Sequence, residues 1–272
     1  MIRLIQNECM KIFAKISSWF YMIILFVILL GGAAIYLILL KKFPEMGESS
    51  ASVWTYMNSV VYSVGSLVTL FSVIICSANV AAEFGSGTIK QLLIRPHARW
   101  KILLSKYITV TLYALLLMLS LFVMGYLIGL LFFGVGDFNA VTEEIALNGS
   151  FTTKIGPLVI KKFLLLLPGL VVVSTISFML STLFKSQALA VGVGIFALFI
   201  SSSIGGVLFF LMEKFAWTKY LIFPHLDLSI YALQDTLAPG VTLGFSSVIL
   251  LGYYLIFLAI TFWFFQKRDI SF

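Results

Sequence analysis

Six long runs without Asp, Glu, Lys or Arg dominate the chain: Ile16–Leu40, Ser49–Ala82, Tyr107–Gly136, Phe163–Phe184, Ser186–Met212 and Thr236–Gln266. Each reaches the roughly 20 residues that a helix needs to cross a bilayer. The pattern therefore predicts six membrane spans, near residues 19–40, 59–82, 106–134, 163–184, 187–212 and 241–265. The first run outlasts the roughly 7–15 apolar residues of a secretory signal core, and five more follow it, so it reads as a retained helix. Ahead of it, Ile2, Ile5, Cys9, Ile12, Phe13 and Ile16 recur at helical spacing, with Arg3, Asn7, Lys11 and Lys15 on the other side. Residues 1–18 thus read as an amphipathic helix on the membrane surface, whose plainest role is to anchor and orient the first span. Between spans, residues 41–48 start a short loop and residues 137–162 a longer polar one. Residues 213–240 carry Trp217, Tyr220, Phe223, Pro224 and Tyr231 among scattered charges, the composition of an extracellular interfacial or re-entrant piece. No soluble domain stands out. The expected fold class is an all-α integral membrane protein, with residues 1–272 forming one transmembrane domain.

Composition agrees: 61% of residues are hydrophobic and 11% charged, against about 45–50% and 25% in soluble domains. An even number of spans puts both termini on one side. With the termini inside, eleven Lys or Arg fall on the inner side and seven on the outer, and the acids leave net charges of +8 and −1. The positive-inside preference then predicts cytoplasmic N- and C-termini in a multi-pass protein of the cell membrane. The basic balance is accounted for by an inner face attracted to anionic membrane lipid, and it requires no nucleic acid. Cys9 falls inside and Cys76 within a span, which excludes a disulfide between them and suits a reducing, cytoplasm-facing setting.

Charge also narrows the chemistry. His97 and His225, the only histidines, fall on opposite sides in this topology, so neither a zinc site nor a Ser-His-Asp triad can be built from them. Each reads as a surface or headgroup-level residue. No metal or cofactor site is expected, and no enzymatic centre. The six runs hold no charged side chain of the kind that proton- or sodium-coupled carriers keep at membrane depth, so energy for uphill transport is expected from outside the chain. Gly125-x-x-x-Gly129 and Gly240-x-x-x-Gly244 are candidate sites of close helix packing.

One polar island, EFGSGTIKQLLIRPHARWK at residues 83–101, interrupts the second and third spans. Its GSGTIK superficially suggests a phosphate loop, but that loop requires a Gly-Lys pair, which the chain lacks. Instead, Thr88 can cap a helix with Gln91 reaching back, Ile89, Leu92 and Leu93 then share one face, and Pro96 ends it. The expected result is a short amphipathic helix, flexible at Gly85 and Gly87 and basic at Lys90, Arg95, Arg99 and Lys101. A basic turn serving topology alone would explain the charges, but not the cap, the apolar face and the glycines together.

The string Glu83-x-x-x-Gly87-Thr88-Ile89-Lys90-x-Leu92-Leu93-x-Arg95-Pro96-x-x-Arg99, followed by Lys101-Ile102-Leu103-x-x-Lys106, resembles the segment after the second span in permease subunits of type-2 ABC exporters. Among these it is most similar to Firmicute permeases for antimicrobial-peptide or multidrug export, or immunity. The resemblance implies that residues 83–101 form a coupling helix docked in a groove of a separate ATPase, through Glu83, Gly87, Thr88, Ile89, Leu92, Leu93, Arg95 and Arg99. It implies an exporter of two ABC ATPase subunits and two permeases, the second a copy or a homologue, with ATP and Mg bound by the partner. Uncharged walls would suit an amphipathic or hydrophobic cargo such as a peptide, drug or lipid. Two other readings stay open: an ATPase-independent carrier or channel, and a non-transporting membrane immunity scaffold.

Overall fold

The computed structural model describes residues 1–42, 51–88, 98–146, 149–212 and 214–268. Helix α1 (Ile2–Phe13) turns directly into α2 (Ile16–Lys42), and α3 (Val53–Gly85), α4 (Arg99–Phe133), α5 (Ile155–Leu183), α6 (Gln187–Leu211) and α7 (Leu243–Lys267) follow. Helices α2 to α7 are each long and apolar enough to cross a membrane, and the protein is an all-α membrane bundle. The helices outrun the charge-free runs. Helix α4 starts at Arg99 and α5 at Ile155, so Lys106, Lys161 and Lys162 lie inside spanning helices. A lysine near a helix end keeps the backbone ladder intact when its ammonium finds a carboxylate or reaches water.

Local signals set the element ends. Ser52 caps α3 reciprocally with Thr55, and Met57–Val61 form a π-helical turn within that helix. Between α4 and α5, β1 (Val141–Ala146) pairs antiparallel with β2 (Gly149–Lys154), Glu144 opposite Phe151. Between α6 and α7, three 3₁₀ turns at Thr218–Tyr220, Phe223–His225 and Leu228–Ala232 lead to a small hairpin, β3 (Thr236–Ala238) with β4 (Val241–Thr242).

Helix α3 is central, packed on α4, α5 and α6. Small residues set the approach. A Cβ at Gly125 would lie 2.7 Å from Val61, and one at Gly129 2.9 Å from Val53, so the first of the two glycine pairs seats α4 on α3. The second does not, because Gly240 sits in the β3–β4 turn with φ 78°. In α5, Pro168 is followed by Gly169, where a Cβ would lie 1.9 Å from the carbonyl oxygen of Leu226. Leu25, Leu29, Val61, Leu117, Leu121 and Phe178 fill the core. Ile23, Val27 and Ile38 of α2 and Val248, Leu251 and Leu255 of α7 point outward, as a hydrocarbon solvent requires. The bundle end with α1 is termed the terminal face here, and the opposite end the hairpin face.

Candidate functional site at the terminal face

Glu8 falls on the apolar stripe of α1, among Ile5, Cys9 and Ile12, so helix formation carries its carboxylate toward the bundle. Lys106 lies about two turns inside α4 and is 1% exposed. Its Nζ donates to Glu8 Oε2 at 2.7 Å and to Glu83 Oε1, from the last turn of α3, at 2.6 Å. Lys11 Nζ donates to the same two acids, to Glu8 Oε1 at 2.8 Å and Glu83 Oε1 at 3.3 Å. Two cations and two carboxylates thus close a ring over three helices that are remote in sequence.

The ring favours the charged forms of Glu8 and Lys11. Burial works to raise the Glu8 carboxyl, but Lys106 and then Lys11 outweigh it and hold the pKa below the ordinary 4.5. Burial works to lower Lys11, yet Glu8 and Glu83 hold it above 10.5. Desolvation offsets much of such a ring's attraction, so its net stabilisation is small while the loss of one member is costly. Satisfaction is incomplete, since Glu83 Oε2 is shielded without a partner. A cavity of about 570 Å³ opens beside the ring, bounded also by Lys15, Asn79, Ser86 and Thr88.

Beyond Glu83 the chain leaves α3 through Gly87 at φ 72°, a conformation open to glycine. The N–H groups of Ser86 and Gly87 return to the carbonyls of Ala82 and Phe84 at 3.0 and 3.2 Å. Thr88 Oγ1 lies 2.9 Å from Ser86 Oγ and 3.5 Å from the Glu83 carbonyl, so the hydroxyl folds back over the end of α3. Its expected partner Gln91, with Ile89, Lys90, Leu92, Leu93, Arg95, Pro96 and His97, lies outside the described residues. On the far side of that segment, Arg99 donates from Nη1 to the carbonyls of Gln266 and Arg268 at 3.4 and 3.2 Å, covering the end of α7 where the helix dipole favours a cation. Arg268 in turn donates to the Thr182 carbonyl at the end of α5 and stacks over Phe84, 4.1 Å from the ring centre.

The four described residues expected at an ATPase contact, Glu83, Gly87, Thr88 and Arg99, therefore bracket residues 89–97, and Glu83 and Arg99 already have partners within the chain. Sequence reasoning missed Glu8, Lys11 and Lys106 as one ring with Glu83, and missed Arg268 as the link between the ends of α5 and α3. The readable signals were an acid on an apolar stripe and a lysine just inside a span.

At the hairpin face, Asn58 in the π turn of α3 accepts from Lys162 Nζ at 2.8 Å and donates to Glu144. Lys162 also donates to Glu144 Oε2 at 3.2 Å and lies 5.3 Å over the Tyr62 ring. His225 is not a surface residue: it is 0% exposed. Its Nε2 donates to the Lys219 carbonyl at 2.8 Å, and its Nδ1 accepts from Ser246 Oγ at 2.8 Å, a tautomer assigned from what a carbonyl can only accept. Burial holds its pKa below 6.5, against the pull of that carbonyl. The 3₁₀ segment, folded over α5, α6 and α7, provides the cover, which hydropathy alone does not reveal. Among the described residues, no three His, Cys, Asp or Glu side chains converge as metal ligands would.

The chain belongs to the family described as "Protein of unknown function (DUF2705)", whose profile matches residues 20–271. It is 39% identical over 236 residues to "Uncharacterized protein YhcI" of Bacillus subtilis (strain 168), across 82% of this chain and 71% of that one. It is 32% identical over 209 residues to "Uncharacterized membrane protein YdbK" of the same organism, across 76% of this chain and 80% of the relative. That description and the six apolar helices agree on a multi-pass membrane protein.

Proposed function

We propose that this member of the DUF2705 family is the membrane permease subunit of an ATP-driven exporter of the ABC type, with its terminal face in the cytoplasm and residues 89–97 delivered to a separate ATPase. The observation that carries the reading is the bracing of both ends of that segment. The Glu8–Lys106–Glu83–Lys11 ring ties α1, α3 and α4 together, while Arg99 and Arg268 add the ends of α7 and α5. A load on residues 89–97 is then passed to four spanning helices rather than lost in a flexible loop. ATP and Mg would be bound by the partner, two ATPases would serve two permeases, and an amphipathic or hydrophobic cargo would cross along walls with few charges. In this role the chain is not itself an enzyme.

Coexpression with the ATPase tests this. Replacing Leu92 and Leu93 together by Asp removes apolar burial worth roughly 1.5–3 kcal/mol per side chain and should abolish copurification and stimulated ATP hydrolysis, with membrane insertion unchanged. A double-Asp variant that still recruits and stimulates its ATPase sinks the assignment. The reading as an ATPase-independent carrier has one foothold, the Lys162–Glu144 pair at a spanning helix, since a buried ion pair could serve ion coupling. Vesicle transport that needed a proton or sodium gradient, and not ATP, would favour it.

A further inference from the structure

A groove of about 590 Å³ opens toward the hairpin face between α3, α5, α6 and the 3₁₀ segment. Leu166, Leu170, Leu198, Phe223 and Ile230 supply apolar wall. Hydroxyls are interspersed, but they are already engaged: Ser63 donates to the Ser59 carbonyl at 2.6 Å and Ser202 to that of Phe199 at 2.8 Å, each within its own helix, while the Tyr62 hydroxyl lies 2.5 Å from Ser229 Oγ in the 3₁₀ segment. Such hydroxyls ask no hydrogen bond of an occupant. No Lys or Arg lines the groove, and Asp227 is its one carboxylate. Asp227 is fixed in place, because Oδ1 accepts from the Ser229 N–H at 2.9 Å and from Ser229 Oγ at 2.5 Å. Among the described residues, no Lys or Arg forms an ion pair with it.

We propose that this groove binds a cationic amphiphile, the apolar body against the leucines and the positive group at Asp227. A carboxylate without a counter-ion at the edge of an apolar groove rewards one charge sign and disfavours the other, while the self-satisfied walls leave the shape of the apolar part free. The site deepens the export reading by naming the charge of the cargo and rests on that reading only for transport. Binding itself requires no ATPase.

The test uses the full chain in nanodiscs, with empty discs as the baseline and fluorescence polarisation of three dyes: monocationic rhodamine 6G, uncharged Nile red and anionic 8-anilinonaphthalene-1-sulfonate. The wild type should prefer rhodamine 6G over the anionic dye. Asp227→Asn, which keeps an acceptor for Ser229, should weaken rhodamine 6G at most about fivefold, the upper range for an ion pair at an exposed carboxylate, and leave Nile red unchanged. Gly206→Phe should remove binding of both, since Gly206 lines the groove and an added Cβ there meets nothing within 4 Å. Dye binding indifferent to Gly206→Phe overturns the groove, and a charge preference indifferent to Asp227→Asn overturns the role of the carboxylate. A chain that binds rhodamine 6G as stated yet recruits no ATPase keeps this inference and loses the export reading.

Discussion

The two ends of the bundle both hold a lysine inside a spanning helix, and they neutralise it in opposite ways. At the terminal face, Lys106 is enclosed between two carboxylates from two other helices, with Lys11 completing the ring. At the hairpin face, Lys162 shares one carboxylate with an amide and leans on an aromatic ring. The first arrangement joins residues 8, 83 and 106, so it reports on the mutual position of three helices. The second joins α3 to a hairpin that leads directly into α5, and Glu144 stays 22% exposed on its side chain, so water can replace a lost partner. Removing a member of the buried ring leaves a shielded charge short of a partner, whereas the amide, the aromatic ring and water share the load at Lys162.

The largest expected effect comes from opening the ring. Lys106→Met leaves Glu8 and Glu83 facing one another with only Lys11 between them, and should cost about 3–5 kcal/mol, read as a lowered Tm of the detergent-solubilised protein. Adding Glu8→Gln and Glu83→Gln to it should recover much of that loss. Lys162→Met should cost less, about 1–3 kcal/mol, because Asn58 can still donate to Glu144. A loss equal to that of Lys106→Met would erase the contrast between the faces.

Acid should separate the faces next. The Glu8 carboxyl is depressed, so its stabilisation is present above 4.5 and lost as pH falls through its folded value. The raised Lys11 contributes below 10.5 and is lost only as pH rises through its own folded value. His225 is also depressed, so the folded state favours the neutral ring and stability declines as pH falls below 6.5. Hydrogen exchange should therefore rise first in residues 218–232 on acidification, with α1 protected to lower pH; the reverse order would overturn this account. Arg99→Ala is the smallest change, within about 0.5 kcal/mol as an exposed substitution, visible as faster exchange at the end of α7 with an unchanged Tm.

Much of the fold was legible because a span advertises itself by the absence of charge. That same rule blurred the helix ends, since it closes each span at the first lysine, and Lys106 and Lys162 are where the ladder continues with the charge neutralised in place. Helix α1 was readable from its spacing, but Glu8 on its apolar stripe also announced a buried cation, which a count of face charges passed over. The β1–β2 hairpin gave little signal because its strands, with Val141, Glu143 and Ile145 exposed, have no dry face to impose alternation. The π turn at Met57–Val61 has no sequence signature, so nothing in the hydropathy pattern singles out Asn58. The burial of His225 depends on a segment folded back over distant helices, information that no local window contains.

The contact of Gly169 with the carbonyl of Leu226 has a consequence in the order of synthesis. Helix α5 leaves the ribosome well before residue 226 exists, so it enters the bilayer with an open notch at Pro168–Gly169, where the proline has already removed one backbone donor. The notch can be filled only after α6 has crossed and returned the chain to the hairpin side. Spanning helices and their final packing are separable stages in membrane proteins, and here the boundary between them falls at one glycine. Any side chain larger than hydrogen at residue 169 should leave six inserted helices and a 3₁₀ segment that never docks, a lesion of completion rather than of insertion.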